Sequence, residues 1–267
     1  MELMFSPLFS GSSGNAVYVG EGEDGILVDA GVSCARIVKE LDQIGVKPES
    51  LKAILITHEH SDHTAAAGII SRKFDLPIYA TEGTWNGMAE KVGAVQSKNI
   101  RIIDARQDFY IGKIGICPFS IPHDASDPCG YSFYAGNLKA SIATDIGCIR
   151  EGWMNAVAGS DILLLEANYD EDMLKAGKYP YVLKKRILGR SGHLSNDDAG
   201  KAAVQLIQRN CKNIILGHLS KENNFPELAE QTVRLALHEA GCVPGQDMNL
   251  SIARRDGFSG LFSVKEA

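Results

Sequence analysis

The stretch that decides the fold is Thr57-His58-Glu59-His60-Ser61-Asp62-His63. It follows the uncharged run Ala53-Ile54-Leu55-Ile56, which predicts a buried β-strand. In extended chain, side chains two positions apart project to the same side, so His58 and His60 can bind one metal ion together. Asp62 and His63 lie where the chain turns, and their side chains can reach a second point nearby. Imidazoles and carboxylates are the ligands that zinc and its first-row neighbours accept, so a metal site is favoured over a histidine-rich surface turn.

Three later apolar runs also end in a potential ligand. His123 follows the run 119–122, Asp145 follows the run 141–144, and His218 follows the run 213–217. Strand ends from distant parts of a chain can meet at one rim of a sheet, where α/β proteins commonly place their chemistry. Each residue alone could be structural, but together they complete a set of ligands for two ions. We predict two sites joined by a bridging carboxylate: His58, His60 and His123 at one ion, Asp62, His63 and His218 at the other, and Asp145 between them.

These motifs resemble those of the metallo-β-lactamase-fold superfamily, and the resemblance covers essentially the whole chain. It is carried by the H-x-H-x-D-H run followed by a later His, Asp and His in that order. Five further segments resemble the WalJ/YycJ (VicX) group of bacterial metallohydrolases: S-G-S-S-G-N at 10–15, V-D-A-G at 28–31, E-A-N-Y-D at 166–170, G-H-L-S-N at 192–196 and G-H-L-S-K-E-N-N at 217–224. The resemblance implies an αββα sandwich, 5′→3′ exonuclease action on duplex DNA, and a supporting role for Asp29 in orienting the metal loop.

The order of predicted elements agrees with that architecture. Strand-like segments lie at 3–9, 16–19, 26–28, 53–56, 76–79, 100–103, 114–121, 131–135, 141–144, 161–165, 250–253 and 261–264, and helical segments lie at 33–44, 64–74, 82–92, 195–210 and 226–240. We predict an α+β fold in which two mixed β-sheets pack face to face with helices on both outer faces. Because no linker, repeat or low-complexity tract interrupts the chain, we expect one domain spanning residues 1–267.

Composition and charge limit the cellular location and the partners that we expect for the protein. The chain has 267 residues, of which 45% are hydrophobic and 22% charged, as in ordinary globular proteins. No apolar run approaches the roughly 18–20 residues of a membrane span, and residues 1–4 do not resemble a secretory signal. The six cysteines form no C-x-x-C pair, so we expect reduced thiols and a cytoplasmic protein. The net charge of −6 argues mildly against a nucleic-acid partner, although bound cations lie outside that count.

Two further segments suggest how substrate binds. Ser195, with Asp198 three residues later, predicts a capping box at a helix start, where free amides attract phosphate, and His193 lies just before it. His193 is therefore either a group that meets a phosphate or a structural histidine. The basic run at 184–186 is either a phosphate-binding patch or a solvated helix face. We expect substrate contacts from residues in the motifs of the group, namely Ser13, Asn15, Asn168, Ser195 and Asn196. The loop at 10–14 lacks the ending of a P-loop, and we expect no organic cofactor.

The function that we predict is a binuclear metal-dependent hydrolase. Two divalent ions (Zn, Mn or Fe) would hold a bridging hydroxide that attacks a DNA phosphodiester, as in a 5′→3′ exonuclease. Asp62 would orient the hydroxide, and His193 would neutralise a phosphoryl oxygen or act as general acid. A thioester or ester hydrolase of glyoxalase II type could use the same ligands, and a regulatory metal-binding protein without turnover is a third possibility. The sequence leaves the oligomeric state open.

Overall fold

Two seven-stranded β-sheets form the centre of the computed structural model, which describes residues 1–266. The strands are β1 (Glu2–Phe9), β2 (Ala16–Glu21), β3 (Asp24–Val28), β4 (Leu51–Leu55), β5 (Ile78–Thr81), β6 (Ile100–Ile103), β7 (Phe109–Ile111), β8 (Ile114–Ser120), β9 (Cys129–Ala135), β10 (Leu138–Ala143), β11 (Ile162–Glu166), β12 (Asn213–Gly217), β13 (Asn249–Ile252) and β14 (Phe262–Lys265). The first sheet has the order β14-β1-β2-β3-β4-β5-β6, and the second has the order β13-β12-β11-β10-β9-β8-β7.

Helices cover the outer faces of both sheets. They are α1 (Cys34–Gln43), α2 (Ser61–Thr64), α3 (Ala67–Phe74), α4 (Glu82–Val92), α5 (Glu151–Val157), α6 (Glu171–Ala176), α7 (Tyr181–Ile187), α8 (Asn196–Ile207) and α9 (Pro226–Glu239), with short 3₁₀ turns at Pro48–Ser50 and Ser97–Asn99. Helices α1, α3 and α4 pack on the first sheet, and α5, α8 and α9 pack on the second. The predicted α+β sandwich of two mixed sheets is therefore confirmed.

The central strands are apolar on both faces because each sheet is covered by its partner inside and by helices outside. All six residues of β10 and all five of β11 are buried. Between the sheets, Phe5 and Leu55 of the first sheet belong to the same buried cluster as Tyr131 and Phe133 of the second. The apolar runs that the sequence shows before each candidate ligand are therefore the parts of the strands that hold the two layers together.

The topology brings several strand ends to one rim. Strands β3 to β6 are parallel in the first sheet, and β10 to β13 are parallel in the second. The chain leaves β4 into the 57–63 loop, and it leaves β10, β11 and β12 into Asp145, Ala167 and His218. Because the carboxyl ends of parallel strands point the same way, these loops face one another where the sheets meet.

The helix predicted at 64–74 differs from the structure. The helical chain begins earlier, at Ser61, and is broken into α2 and α3 by a turn at residues 65–66. The break occurs where the backbone N–H of Ala66 donates to the carbonyl of Ala30 at 2.8 Å instead of to a carbonyl of its own helix. A tertiary hydrogen bond of this kind leaves no mark in the local pattern of apolar residues.

Smaller differences occur elsewhere. The strand predicted at 76–79 lies at Ile78–Thr81, and β7, α5 and α6 have no counterpart in the prediction. These three elements are only three to seven residues long, and such lengths carry too few positions for a periodic pattern. Within residues 1–266, no helix is both long and apolar enough to cross a lipid bilayer.

A buried hydroxyl of the second sheet forms a hydrogen bond with the backbone just before the 57–63 loop. Its removal should lower the stability of the fold. The Tyr131 hydroxyl, in a fully buried side chain, donates to the carbonyl of Ile56 at 2.8 Å. In Tyr131→Phe that carbonyl loses its partner away from water, so we expect the free energy of unfolding to fall by about 1–3 kcal/mol in urea denaturation. Tyr134→Phe on the same strand removes a half-buried hydroxyl that has no hydrogen bond within residues 1–266, and it should change stability by less than about 0.5 kcal/mol. Equal stability of the two variants would contradict this account.

Candidate metal centre

The 57–63 loop is held in place by a buried carboxylate from the neighbouring strand. Asp29 follows β3 directly, and its carboxylate accepts the backbone N–H of Thr57 at 2.9 Å and the Thr57 hydroxyl at 3.0 Å. The same carboxylate lies 2.8 Å from Nδ1 of His63. A hydrogen bond at Nδ1 fixes the orientation of the ring and leaves Nε2 facing away from Asp29, toward the rim. The contacts of Asp29 thus agree with the supporting role that the sequence resemblance implied.

A first group of three imidazoles converges at the start of this loop. His58, His60 and His123 each place one ring nitrogen within 4.8 Å of the other two. Nε2 of His58 lies 3.0 Å from Nδ1 of His60, which lies 3.3 Å from Nε2 of His123. Nδ1 of His123 lies 3.1 Å from the carbonyl of Gly192. This contact fixes the tautomer and the orientation of the His123 ring.

A second group lies beside the first. One ligand atom each from Asp62, His63 and His218 lies within 4.8 Å of the others. Oδ2 of Asp62 is 3.6 Å from Nε2 of His63 and 3.7 Å from Nε2 of His218. Nε2 of His218 is buried and has no hydrogen-bond partner within residues 1–266.

Asp145 lies between the two groups. Its Oδ2 is 3.4 Å from Nε2 of His63 in the second group, and its Oδ1 is 3.7 Å from Nε2 of His123 in the first. The carboxylate is buried, and Oδ2 has no hydrogen-bond partner in the described chain. The structure therefore brings together all seven residues that the sequence predicted as ligands.

These residues fit divalent cations. A buried polar atom without a partner costs free energy, and here an unpartnered carboxylate oxygen and an unpartnered imidazole nitrogen lie at the centre of the cluster. Imidazole and carboxylate together suit zinc, manganese and iron, which accept both nitrogen and oxygen ligands. A cation placed among these atoms would remove both deficits at once.

The electrostatics of the cluster agree with a cation at this position. Burial lowers the pKa of His58 well below its usual value, and the neighbouring imidazoles lower it further, so this ring is neutral and can act as a ligand. Burial also acts to lower the pKa of His63, but the carboxylates of Asp145, Asp29 and Asp62 outweigh it and raise that pKa to about 9. The raised pKa of His63 reflects the excess of negative charge around it, which a bound cation would offset.

Glu166 is a functional residue that the sequence analysis did not single out. It ends β11 at the same rim, and its side chain is fully buried. Oε1 lies 2.8 Å from Nδ1 of His193 and 2.9 Å from Nδ1 of His218, while Oε2 accepts the backbone N–H groups of Ile146 and Leu194. Glu166 thus turns Nε2 of His218 toward the second group and fixes His193. The missed signal was a carboxylate at the end of an uncharged strand, which is the pattern that identified Asp145.

A cavity of about 390 Å³ opens onto the centre. Both residues predicted as catalytic, Asp62 and His193, line it, and so does Asn168. The Asn168 amide also donates to the carbonyl of His218 at 2.7 Å. Arg186 also lines the cavity, and its guanidinium pairs with both carboxylate oxygens of Asp124.

The structure does not bring the other four predicted substrate contacts to this cavity. Ser13 is exposed, and its neighbour Ser12 lines the cavity instead. Asn15 is buried, with its amide bonded to the backbone of residues 11 and 62 and near His63. Ser195 caps α8 by accepting the N–H of residue 198 at 3.1 Å, and Asn196 exchanges hydrogen bonds with a second buried amide, that of Asn224. The cap at Ser195 is the one that its spacing from Asp198 predicted, whereas the bonds of Asn15 to residue 62 and of Asn196 to Asn224 join distant parts of the chain, which spacing could not show.

Comparison with known proteins gives a consistent result. Residues 25–218 match the family model of the beta-lactamase superfamily domain. The chain is 39% identical over 246 residues to exodeoxyribonuclease YycJ of Bacillus anthracis, covering 92% of this chain and 93% of that one. It is 40% identical over 248 residues to exodeoxyribonuclease WalJ of Streptococcus pneumoniae, covering 92% of each. The metallo-beta-lactamase fold protein YhfI from Bacillus subtilis shares the fold, with a TM-score of 0.74 at 16% identity over 99% of this chain and all of that one.

Metal removal tests the fit of the cluster to cations. A ligand that binds only the folded chain stabilises it by mass action, so Mn(II) or Zn(II) added at about 100 times its Kd to EDTA-treated protein should raise Tm by about 5–10 °C. Asp145→Ala should lose most of that rise in differential scanning fluorimetry, because its carboxylate lies between the two groups. Asp42→Ala, which removes an exposed carboxylate on α1, should keep it. A wild-type Tm that neither metal changes would contradict the assignment.

Proposed function

Because the chain belongs to the β-lactamase superfamily, in the group that contains the exodeoxyribonucleases YycJ and WalJ, we propose that this metal-dependent hydrolase is an exonuclease acting on DNA in the 5′→3′ direction. The observation that carries the proposal is the buried Glu166 carboxylate, which holds His193 at the cavity wall beside the metal ligands. A phosphodiester needs a group that can give a proton to the leaving oxygen, and His193 has the position for it.

We assign the cluster to two divalent ions, with Zn, Mn and Fe as candidates. One is assigned to His58, His60 and His123 and the other to Asp62, His63 and His218, with Asp145 shared between them. Such ions supply Lewis-acid stabilisation of the charge that develops on phosphate and activation of water at neutral pH. The protein fixes the orientation of the ligands through buried carboxylates. Asp29 contacts Nδ1 of His63, and Glu166 contacts Nδ1 of His218.

His193 is arranged to donate a proton or a hydrogen bond. Its Nδ1 is engaged by Glu166 at 2.8 Å, so Nε2 is the nitrogen available to substrate. The Glu166 carboxylate also accepts two backbone N–H groups, and its pKa lies well below the usual range because, although burial raises it, His193 and His218 lower it more strongly. The carboxylate fixes the orientation of the His193 ring, with Nδ1 toward Glu166 and Nε2 toward the cavity. His193 can therefore protonate a leaving oxygen or bind a non-bridging one.

The remaining cavity wall suits a phosphate group. Arg186 presents a guanidinium there, and its pairing with Asp124 holds the planar group in one orientation. Asp62 is partly exposed at the cavity and can accept a proton from an attacking water or orient it.

The alternatives make less use of this arrangement. A thioester hydrolase of glyoxalase II type would use the same ligands, but it has no need for an arginine in the wall of the cavity that His193 also lines. A regulatory protein without turnover has no need for a cavity that reaches the ligands.

We also propose a cytoplasmic location for a single domain spanning residues 1–267, supported by six cysteines that are all free thiols.

Replacing His193 tests its proposed role as a proton donor. We expect His193→Ala to lower kcat on nicked duplex DNA by about 10²–10⁴-fold with little change in KM, because the donated proton matters most in the transition state. The variant should keep the wild-type metal content by elemental analysis: His193 lies close to Asp145, Glu166 and His218, but its Nδ1 is engaged by Glu166 and it belongs to neither of the two groups assigned to the ions. His238→Ala on α9, which removes an exposed histidine, should behave as wild type. Full kcat in His193→Ala would contradict the role.

Substrate class is tested in parallel with the wild-type enzyme. Nicked duplex DNA, bis-p-nitrophenyl phosphate and a glutathione thioester are each offered with Mn(II) or Zn(II). We expect DNA ends to be digested, with products released from the 5′ terminus, and the thioester to remain intact. Rapid thioester hydrolysis with intact DNA would replace the exonuclease proposal by the glyoxalase II alternative.

A further inference from the structure

A second groove lies on the far side of the helix that walls the catalytic cavity. It has a volume of about 540 Å³ and is lined by Lys175, Tyr181, Lys184, Lys185, Leu188 and Gly189; we refer to it as the α7 groove. We propose that the α7 groove binds an unpaired, single-stranded segment of the DNA that enters the catalytic cavity. The inference rests on the proposed function and extends it to the path of the substrate strand.

Helix α7 contributes one face to each of the two depressions. Leu183, Arg186 and Ile187 line the catalytic cavity, whereas Tyr181, Lys184, Lys185 and Leu188 line the α7 groove. This division follows from 3.6 residues per turn, which puts positions three and four apart on one face. A helix with its side chains is about 10 Å across, so a strand that leaves the cavity past Arg186 reaches the groove within a few nucleotides.

The groove combines an exposed aromatic ring with basic side chains. Tyr181 is 78% exposed and Leu188 is 41% exposed, which leaves apolar surface uncovered beside the lysines. An aromatic ring offers a stacking platform for any base, and an ammonium group offers a point charge for phosphate. Aromatic and basic side chains in one groove are the combination that binds single strands without sequence preference.

The charge of the groove opposes that of the whole chain. Its lining residues include three lysines and no acidic residue, although the chain carries a net charge of −6. Within residues 1–266, Lys175 pairs with Glu171 and Lys184 donates to the carbonyl of residue 175, while Lys185 forms no ion pair. A local excess of positive charge on an acidic protein favours a polyanion at this surface.

The same contacts favour a single strand over other occupants. In a duplex the faces of the bases are covered by their neighbours, so Tyr181 can stack only on an unpaired or terminal base. A neutral protein partner would bury lysines against apolar surface, and lysine is depleted in the cores of protein interfaces. An acidic protein could pair with the lysines, but its binding would not depend on the aromatic ring of Tyr181. Removal of that ring therefore distinguishes a bound single strand from a bound acidic protein.

The test measures oligonucleotide binding by metal-loaded protein in a His193→Ala background, so that DNA is preserved. Fluorescence anisotropy compares a labelled single-stranded oligonucleotide with a blunt duplex. We expect Tyr181→Ala to weaken single-strand binding about ten-fold and Tyr181→Phe, which keeps the ring, to bind as the parent. Val182→Ala is the matched control, since Val182 is 79% exposed on the same helix but lines neither depression.

The lysines are tested through salt dependence. For Lys184→Ala/Lys185→Ala, the slope of log Kd against log salt should become shallower by about 1.4 for the single strand, since each lost phosphate contact removes about 0.7. Lys39→Ala, which removes an exposed lysine on α1, should leave the slope unchanged. Circular dichroism and Tm of every variant should match the parent, because the altered side chains are exposed or only half-buried.

The outcomes separate this inference from the exonuclease proposal. If wild-type enzyme digests nicked duplex DNA but Tyr181→Ala binds the single strand as tightly as Tyr181→Phe, the groove assignment is overturned and the exonuclease stands. If wild-type enzyme digests no DNA but the ring and the lysines still govern oligonucleotide binding as expected, the groove assignment stands. Absence of single-strand binding by the parent protein, or capture of acidic polypeptide in preference to DNA, overturns the groove assignment.

Discussion

The structure depends on keeping imidazoles and carboxylates close together at a buried rim where two sheets meet. Burying such groups costs free energy unless hydrogen bonds and opposite charges compensate them. Each sheet supplies one buried carboxylate for this purpose: Asp29 of the first sheet orients His63, and Glu166 of the second orients His218 and His193. In both cases the carboxylate engages Nδ1 and leaves Nε2 for the centre. At the centre, Oδ2 of Asp145 and Nε2 of His218 have no hydrogen-bond partner within residues 1–266, and a divalent cation would satisfy both.

The backbone at the rim shows the same constraint. Asp29, Asp145 and His218 lie at or just after strand ends, and all three have left-handed φ angles of 60°, 59° and 55°. This conformation is uncommon outside glycine, although aspartate and histidine tolerate it better than most residues. It reverses the chain sharply, so that a side chain leaving a buried strand reaches the centre. A strained conformation repeated at functional strand ends is consistent with a site whose geometry the surrounding fold enforces.

Much of the fold and the grouping of the ligands could be predicted from the sequence, because uncharged strands ending in histidine or aspartate specify both the sheets and the rim. Helix α4 was predicted with its observed bounds for a similar reason: its apolar spacing is local. Spacing could not predict which side chains form tertiary hydrogen bonds. Ser195 forms the cap expected from its spacing to Asp198, whereas Asn196 bonds to Asn224, 28 residues away; substrate contact by either residue stays a prediction. Glu166 ends an uncharged strand as a candidate ligand would, but its contacts with histidines 27 and 52 residues away are tertiary and leave no local pattern.

Anomalous diffraction from crystals of metal-loaded protein, collected at the absorption edge of manganese or zinc, tests the central claim most directly. We expect two anomalous peaks at the rim, one contacted by His58, His60 and His123 and the other by Asp62, His63 and His218, with Asp145 between them. A single peak, or ions bound away from these side chains, would contradict it.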